Sequence, residues 1–75
     1  MKLSPVKAEK IIKILEETGF SCIRQKGSHI IMKHPDGRSI VIPDHQGEDL
    51  GRGIVRSIIR QAGLTREDFV NMLSK

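Results

Sequence analysis

Apolar residues in the first quarter of the chain recur with the spacing of an α-helix. Ser4 and Pro5 predict its start, because serine caps free backbone N–H groups and proline suits the first helical position. The i, i+3, i+4, i+7 pattern that follows predicts one buried face, formed by Ala8, Ile11, Ile12 and Leu15. Gly19 predicts the end of this helix, since glycine adopts the left-handed conformation that commonly closes helices.

Beyond Gly19 the apolar pattern changes to the alternation of β-strands. It predicts three strands, at residues 20–26, 29–34 and 39–42. Two turn signals separate them, Gly27-Ser28 and Pro35-Asp36-Gly37. Because connections this short join antiparallel neighbours, the three strands are predicted to form an antiparallel meander.

Helical spacing returns after a polar loop at residues 44–53. A second helix is predicted from its apolar stripe, which comprises Ile54, Val55, Ile58, Ile59 and Ala62. Gly63 predicts its end, and Thr65 is a favourable cap for a short third helix. The apolar face of that last helix is formed by Phe69, Val70, Met72 and Leu73.

The predicted fold class is α+β, with the order α-β-β-β-α and a short C-terminal helix. Two helices on one face of a three-stranded antiparallel sheet form a two-layer sandwich. This order matches that of the double-stranded-RNA-binding domain (dsRBD), so the predicted fold is dsRBD-like. With 75 residues, the chain is expected to be a single domain over residues 1–75.

The composition of the chain indicates the cellular compartment in which the protein is expected. No apolar run approaches the roughly 20 residues of a membrane span, and the N-terminus lacks the apolar core of a signal peptide. We therefore expect a cytoplasmic protein that does not enter a membrane. Cys22 is the only cysteine, which excludes an internal disulfide, and we expect it to be a small buried hydrophobe.

The net charge of +4 is distributed unevenly along the chain. Residues 18–35 contain no acid but carry Arg24, Lys26 and Lys33, and residues 50–66 contain no acid but carry four arginines. Segregated positive charge is typical of proteins that bind polyanions. Nucleic acid is therefore a candidate partner.

His29 is the candidate catalytic residue. It directly follows Gly27-Ser28 and lies between Lys26 and Lys33 in the first acid-free segment. RNA carries its own nucleophile, the 2′-hydroxyl, so its cleavage needs only a proton acceptor and positive charge around the phosphate. Histidine is the usual acid or base near neutral pH. The sequence thus predicts general acid–base catalysis on RNA by His29.

Metal and serine-nucleophile chemistry are not predicted. His29 and His34 are five residues apart on one predicted strand, so their side chains face opposite ways and offer no metal spacing. Ser28 is adjacent to His29 and faces away from it, so we expect Ser28 to complete the turn or to donate to a phosphate. No phosphate-binding loop or dinucleotide motif occurs, and we expect no metal and no cofactor. Whether His34 or His45 assists His29 stays open.

RNA contacts are predicted near the turn and at one helix end. The candidates around His29 are Lys26, Gly27, Ser28 and Lys33. Arg52 and Arg56 lie nearest the N-terminus of the second helix, whose dipole favours phosphate. Base stacking is not predicted, because Phe20 and Phe69 occupy apparent core positions and the chain has no Trp or Tyr.

Residues 26–38, KGSHIIMKHPDGR, resemble the signature of the HicA toxins, small mRNA interferases of bacterial and archaeal toxin–antitoxin systems. The resemblance continues through Val41-Ile42-Pro43, His45, Gly47, Leu50 and residues 56–64, which is nearly the whole chain. It implies a dsRBD-like fold, metal-independent cleavage of mRNA, and neutralisation by a HicB-type antitoxin. The family's catalytic histidine falls on His29, and Gly27 and Ser28 fall on the turn that presents it.

Two positions depart from the family pattern. Many members carry a second histidine where this chain has Ile30, and many have lysine near the loop that here reads Glu48-Asp49. Acids in that loop are expected to weaken RNA affinity or to alter partner choice. The leading hypothesis is a HicA-type endoribonuclease toxin. The alternatives are a non-catalytic RNA-binding module of the same fold, and an adaptor whose basic face contacts an acidic protein and lacks RNA affinity.

Overall fold

The computed structural model describes residues 6–44 and 49–74 of the chain. In chain order its elements are β1 (Val6–Lys7), α1 (Ala8–Glu17), β2 (Ser21–Lys26), β3 (His29–Lys33), β4 (Ser39–Pro43), β5 (Asp49–Leu50), α2 (Arg52–Ala62) and α3 (Arg66–Leu73). An antiparallel sheet has the order β2-β3-β4, and β1 pairs with β5. The α+β class and the dsRBD-like α-β-β-β-α order are confirmed, and the three predicted strands agree to within one residue at each end.

The three-stranded sheet has one buried and one open side. Alternate residues of β3 and β4 face the helices and are buried, namely Ile30, Met32, Ile40 and Ile42. Helices α1 and α2 pack on this side, and Phe20 and Phe69 are buried in the same core, as predicted. We call the opposite side the outer face. It carries His29, Ile31 and Lys33 of β3, together with their partners in register on β2 and β4.

Helix α1 starts later than the sequence predicted. Ser4 and Pro5 lie outside the described residues, and the helix begins at Ala8. The preceding two residues form β1, which pairs antiparallel with β5 and adds an ion pair between Lys7 and Asp49 at 3.4 Å. This pairing holds the segment extended, which delays the start of the helix. The predicted polar loop at residues 44–53 thus contains a short strand.

The buried faces of the two long helices each differ from prediction at one position. Ile14 is buried in α1 where Ile12 was predicted, since α1 packs against both the sheet and α3 and its buried face is turned accordingly. In α2 the prediction of a buried Ile54 was wrong, because this side chain is 43% exposed. Ile54 lies in the first turn, at the margin of a stripe that Val55, Ile58, Ile59 and Ala62 already complete.

The prediction that Cys22 is a buried hydrophobe was also wrong, because the residue is exposed. Cys22 pairs in register with the fully buried Met32, so it belongs to the helix-facing side of the sheet. However, β2 is an edge strand and all six of its residues are exposed. The helix layer therefore covers the β3 and β4 positions of this register row, Met32 and Ile40, and leaves the β2 position open.

The helix ends follow the predicted signals. Gly19 and Gly63 have φ values of +104° and +75°, and each follows the last turn of its helix. Thr65 caps α3, accepting a hydrogen bond from the backbone of Asp68 at 3.0 Å. Among the helices of residues 6–44 and 49–74, the longest has 11 residues, and none has the length and apolar character to cross a membrane.

Candidate functional site

The β2–β3 hairpin is closed by the two-residue loop Gly27-Ser28, which places Lys26 opposite His29 in the register. Gly27 has a φ of +60°, whereas no non-glycine residue in the described ranges has a positive φ. A positive φ at the first loop position alone defines a type II′ turn, whose twist matches that of the flanking strands. The sequence therefore brings Lys26, Gly27, Ser28 and His29 together at one end of the sheet, as predicted.

His29 is presented to solvent by the alternation of β3. Its neighbour Ile30 faces the helices and is buried, so His29 lies on the outer face and is exposed. The imidazole forms no hydrogen bond or ion pair with another residue of the described ranges. Both ring nitrogens are thus available to a bound molecule.

Backbone contacts from two sides hold the Gly27-Ser28 loop. The Asp44 amide donates a hydrogen bond to the Ser28 carbonyl at 2.5 Å, just after Pro43, the register partner of His29. The side chain of Gln25 donates a longer bond of 3.4 Å to the Gly27 carbonyl. The end of β4 therefore supports the loop, and His29 is fixed between two neighbouring strands.

Lys33 shares the outer face with His29 but lies at the opposite end of β3. It pairs in register with Ser21 on one side and Ser39 on the other. Four residues at about 3.3 Å each separate the two Cα atoms by roughly 13 Å. The structure thus places Lys33 outside the immediate surroundings of His29, although both residues lie on the outer face of β3.

Arg52 and Arg56 are exposed on α2, in the other layer of the molecule. Helix α2 packs on β4 from the buried side of the sheet, whereas His29 lies on the outer face. Gly51 gives the N-terminus of α2 no side-chain cap, and its first turn has no acid, so the helix dipole and the two arginines form a second positive region. Within the described residues, no hydrogen bond or ion pair links this region to the hairpin.

His34, left open as a helper of His29, lies near the far end of β3. Its ring packs edge-on against Phe20, with 5.1 Å between the ring centroids, and its Nδ1 accepts a hydrogen bond from the Asp36 backbone at 3.1 Å. The ring is half-buried and serves the packing of the β3–β4 turn. His45 and Glu48 lie outside the described residues. No three His, Cys, Asp or Glu side chains in residues 6–44 and 49–74 are grouped to hold a metal ion.

Arg38 ties the β3–β4 turn to the end of α2, a role that sequence reasoning missed. Its Nε donates to the Asp36 carboxylate at 2.7 Å, and its terminal nitrogen donates to the Ala62 carbonyl at 2.5 Å. The guanidinium carbon also lies 5.3 Å from the centroid of the Phe20 ring. The Arg38 backbone N–H, followed by its side chain, lowers the pKa of Asp36 below its ordinary value. A basic residue after a turn gives no sequence signal for a partner 24 residues away.

Two comparisons with known proteins bear on this geometry. A family model described as the HicA toxin of bacterial toxin–antitoxin systems matches residues 8–64, which include the hairpin and α2. A protein of Pseudomonas fluorescens (strain Pf0-1), named "Probable mRNA interferase HicA", is 44% identical over 39 residues. That match covers 52% of this chain and 63% of the relative, so it spans less than two thirds of the relative's length.

Proposed function

The chain belongs to the HicA toxin family of bacterial toxin–antitoxin systems, and from this premise we propose that it is an mRNA-cleaving endoribonuclease with His29 as its catalytic residue. The observation that carries the proposal is an exposed imidazole, fixed beside Lys26 by a type II′ turn. The name of the Pseudomonas relative supports the same activity. We extend the proposal to the whole of residues 1–75, as one HicA-like domain.

In the proposed reaction, the RNA 2′-hydroxyl attacks the adjacent phosphorus. His29 accepts the hydroxyl proton as the new oxygen–phosphorus bond forms. The bond to the 5′ oxygen then breaks, that oxygen takes a proton from water, and the products are a 2′,3′-cyclic phosphate and a 5′-hydroxyl end. Lys26, opposite His29 in the register, stabilises the negative charge that develops on the phosphate. The Ser28 hydroxyl and the backbone of Gly27 supply further polar groups at the same loop.

RNA outside the scissile phosphate is proposed to contact two further regions. Lys33 extends the positive charge along the outer face, and Arg52 and Arg56 add the open N-terminus of α2. Because neither Phe20 nor Phe69 is accessible for stacking, these contacts are to the backbone and carry little base specificity. A HicB-type antitoxin is the proposed protein partner.

A non-catalytic RNA-binding module is the second candidate. The observation that favours it is that no described side chain forms a hydrogen bond that orients the imidazole of His29. The two candidates differ in one measurable property, since a binding module retains RNA without cutting it.

The experiment that tests the proposal uses a purified protein, EDTA and an RNA oligonucleotide. We expect cleavage to persist in EDTA, because no protein group of the mechanism is a metal ligand. We also expect 2′,3′-cyclic phosphate ends, and no cleavage of the same oligonucleotide when the cleaved nucleotide is 2′-deoxy. Cleavage of the deoxy substrate would exclude the 2′-hydroxyl mechanism, and tight binding without any cleavage would favour the binding module.

A further inference from the structure

The register of the sheet sets one residue of β4 directly beside the proposed catalytic imidazole. Pro43, the last residue of β4, is the partner of His29 in the pairing of β3 with β4. The alternation of β4 buries Ile40 and Ile42 against the helices, so Pro43 stands on the outer face with His29. The proline ring is half-buried and the imidazole is exposed. The proposed reaction gives this proline no role.

The backbone hydrogen bonds between β3 and β4 show how close the two side chains are. The Asp44 amide donates to the Ser28 carbonyl, which makes residues 28 and 44 a hydrogen-bonded position. Hydrogen-bonded and non-hydrogen-bonded positions alternate along an antiparallel pair. His29 and Pro43 therefore form a non-hydrogen-bonded position, where the two Cα atoms lie about 4.5 Å apart and the side chains are closer than at the neighbouring positions.

A proline costs the sheet nothing at this place. Strand β4 is an edge strand of the three-stranded sheet, and at a non-hydrogen-bonded position the backbone N–H points away from the neighbouring strand. The donor that Pro43 lacks is therefore one that the pairing with β3 does not use, which is the usual setting of proline in a sheet. Its closed ring has no rotamer freedom to lose and takes a fixed place on the outer face.

The side chain of His29 has no comparable restraint of its own. It forms no hydrogen bond or ion pair with the described residues, and a side chain without restraint distributes over three staggered χ1 wells. Opposite Cβ atoms of such a pair are about 4.5–5.5 Å apart, so a rigid ring on β4 limits the wells open to the imidazole. On the other side Lys26 is the partner of His29. The imidazole thus stands between a fixed apolar ring and a cation.

We propose that Pro43 is a positioning residue for His29, whose ring keeps the imidazole in the arrangement that reaches a 2′-hydroxyl held beside Lys26. This inference rests on the proposed function and names a further residue of that site. A general base must lie within hydrogen-bond reach of the proton that it accepts, so each unproductive χ1 well lowers kcat without changing KM. Pro43 acts only through His29 and takes no part in the proton transfer.

The test measures kcat and KM for RNA cleavage by three variants. Pro43→Ala removes the ring, and we expect kcat to fall by about three- to tenfold with KM unchanged, since further χ1 wells of His29 become populated. Pro43→Val restores a branched side chain with restricted rotamers, and should keep kcat within about twofold of the parent. Pro35→Ala is the matched control, an exposed proline in the turn at the far end of β3, and should cleave like the parent.

NMR scalar couplings of His29 give its χ1 populations without any need for cleavage. We expect one dominant well in the parent and in Pro43→Val, and averaging over wells in Pro43→Ala. Unfolding midpoints establish that each variant is measured in its folded state.

A single χ1 well in Pro43→Ala, or a parent-like kcat of that variant, would overturn the positioning role. An equal loss of kcat in Pro43→Ala and Pro43→Val would also overturn it, because the effect would then arise from the proline backbone. A parent protein that does not cleave RNA would contradict the proposed function, whereas the χ1 populations would still decide whether Pro43 restricts His29.

Discussion

Gly27 positions His29 through its backbone conformation, and not through contacts with neighbouring atoms. Its φ is +60°, while a Cβ atom at this position would have no neighbour within 4 Å. A side chain at residue 27 would therefore add backbone strain without any steric clash. The strain would act on the loop that sets the register between Lys26 and His29.

Gly27→Ala is expected to lower the free energy of unfolding by about 1–2 kcal/mol, since the left-handed conformation costs L-residues that much. Gly53→Ala is the matched control, because Gly53 lies in α2 without a positive φ and has the same open surroundings. It should raise the stability by about 0.5–1 kcal/mol. Urea unfolding measures both changes. Equal stability of Gly27→Ala and the parent would contradict the type II′ turn.

The ionisation of the Asp36 carboxyl group makes the stability of the fold depend on pH in the acid range. The Arg38 backbone N–H, and then the Arg38 side chain, lower the pKa of Asp36 from its ordinary value of 3.8. A carboxyl group with a lower pKa in the folded state stabilises the fold at pH values above its unfolded pKa. That contribution is lost as the pH falls through the lower folded value.

We therefore expect acid destabilisation below about pH 3.8 to be weaker in Asp36→Asn than in the parent. The asparagine variant should be less stable than the parent near neutral pH, and the two should converge on acidification. Thermal unfolding midpoints across this pH range measure the difference. If the difference between the two unfolding midpoints stays constant down to the lowest pH, the ionisation of Asp36 does not contribute to the pH dependence of stability.

At the scale of elements, α2 differs from α3 in how its N-terminus is used. Helix α3 begins with the Thr65–Asp68 capping box, which satisfies free N–H groups and places a carboxylate at the positive end of the helix dipole. Helix α2 begins at Gly51 without a side-chain cap, and no acid stands in its first turn. Its own first turn therefore holds no carboxylate at the positive end of the helix dipole, and Arg52 and Arg56 add positive charge there.

Arg52→Ala with Arg56→Ala should weaken RNA binding by a similar factor for all sequences. If both arginines contact phosphates, the slope of log affinity against log salt on single-stranded RNA should fall by roughly 0.7 per lost contact. His29→Ala should leave the slope nearly unchanged. Arg60→Ala, in the last turn of the same helix, is the control for a general loss of charge. If the double variant has the same slope as the parent, this end of α2 does not contact the RNA backbone.

The sequence predicted those elements whose signals are local. Alternation, turn residues and helix-ending glycines located all three strands of the main sheet, and the capping sequence located α3. The β1–β5 pair was missed because strands of two residues have no periodicity. Cys22 was misassigned for a different reason, since alternation gives the side of a sheet on which a residue lies but not which strands the helices cover.

The candidate site was predicted only in its local part. The hairpin residues from Lys26 to His29 are contiguous in sequence, so one turn prediction placed them together. The positions of Arg52 and Arg56 in the opposite layer, and the contact of Arg38 with Ala62, depend on how α2 docks on the sheet. No periodicity within one segment contains that information.

At the scale of the whole molecule, the two ends of the three-stranded sheet have separate roles. One end carries the Gly27-Ser28 loop and His29, supported by the end of β4. The other end carries His34 and its neighbours, which join the β3–β4 turn to Phe20 and to the end of α2. His29, the proposed catalytic residue, and His34, which packs on Phe20, therefore lie at opposite ends of the strand, so each can be changed without altering the contacts of the other.

The most direct measurement compares RNA cleavage and thermal unfolding of His29→Ala and His34→Gln. His29→Ala should reduce the cleavage rate constant by about 10²–10⁴-fold, the usual contribution of a general acid or base, with an unchanged unfolding midpoint. His34→Gln should lower the midpoint, because it removes the ring contact with Phe20, while the folded protein retains cleavage within about threefold of the parent. A His29→Ala protein that cleaves RNA near the parent rate would contradict the assignment of His29 as the catalytic residue.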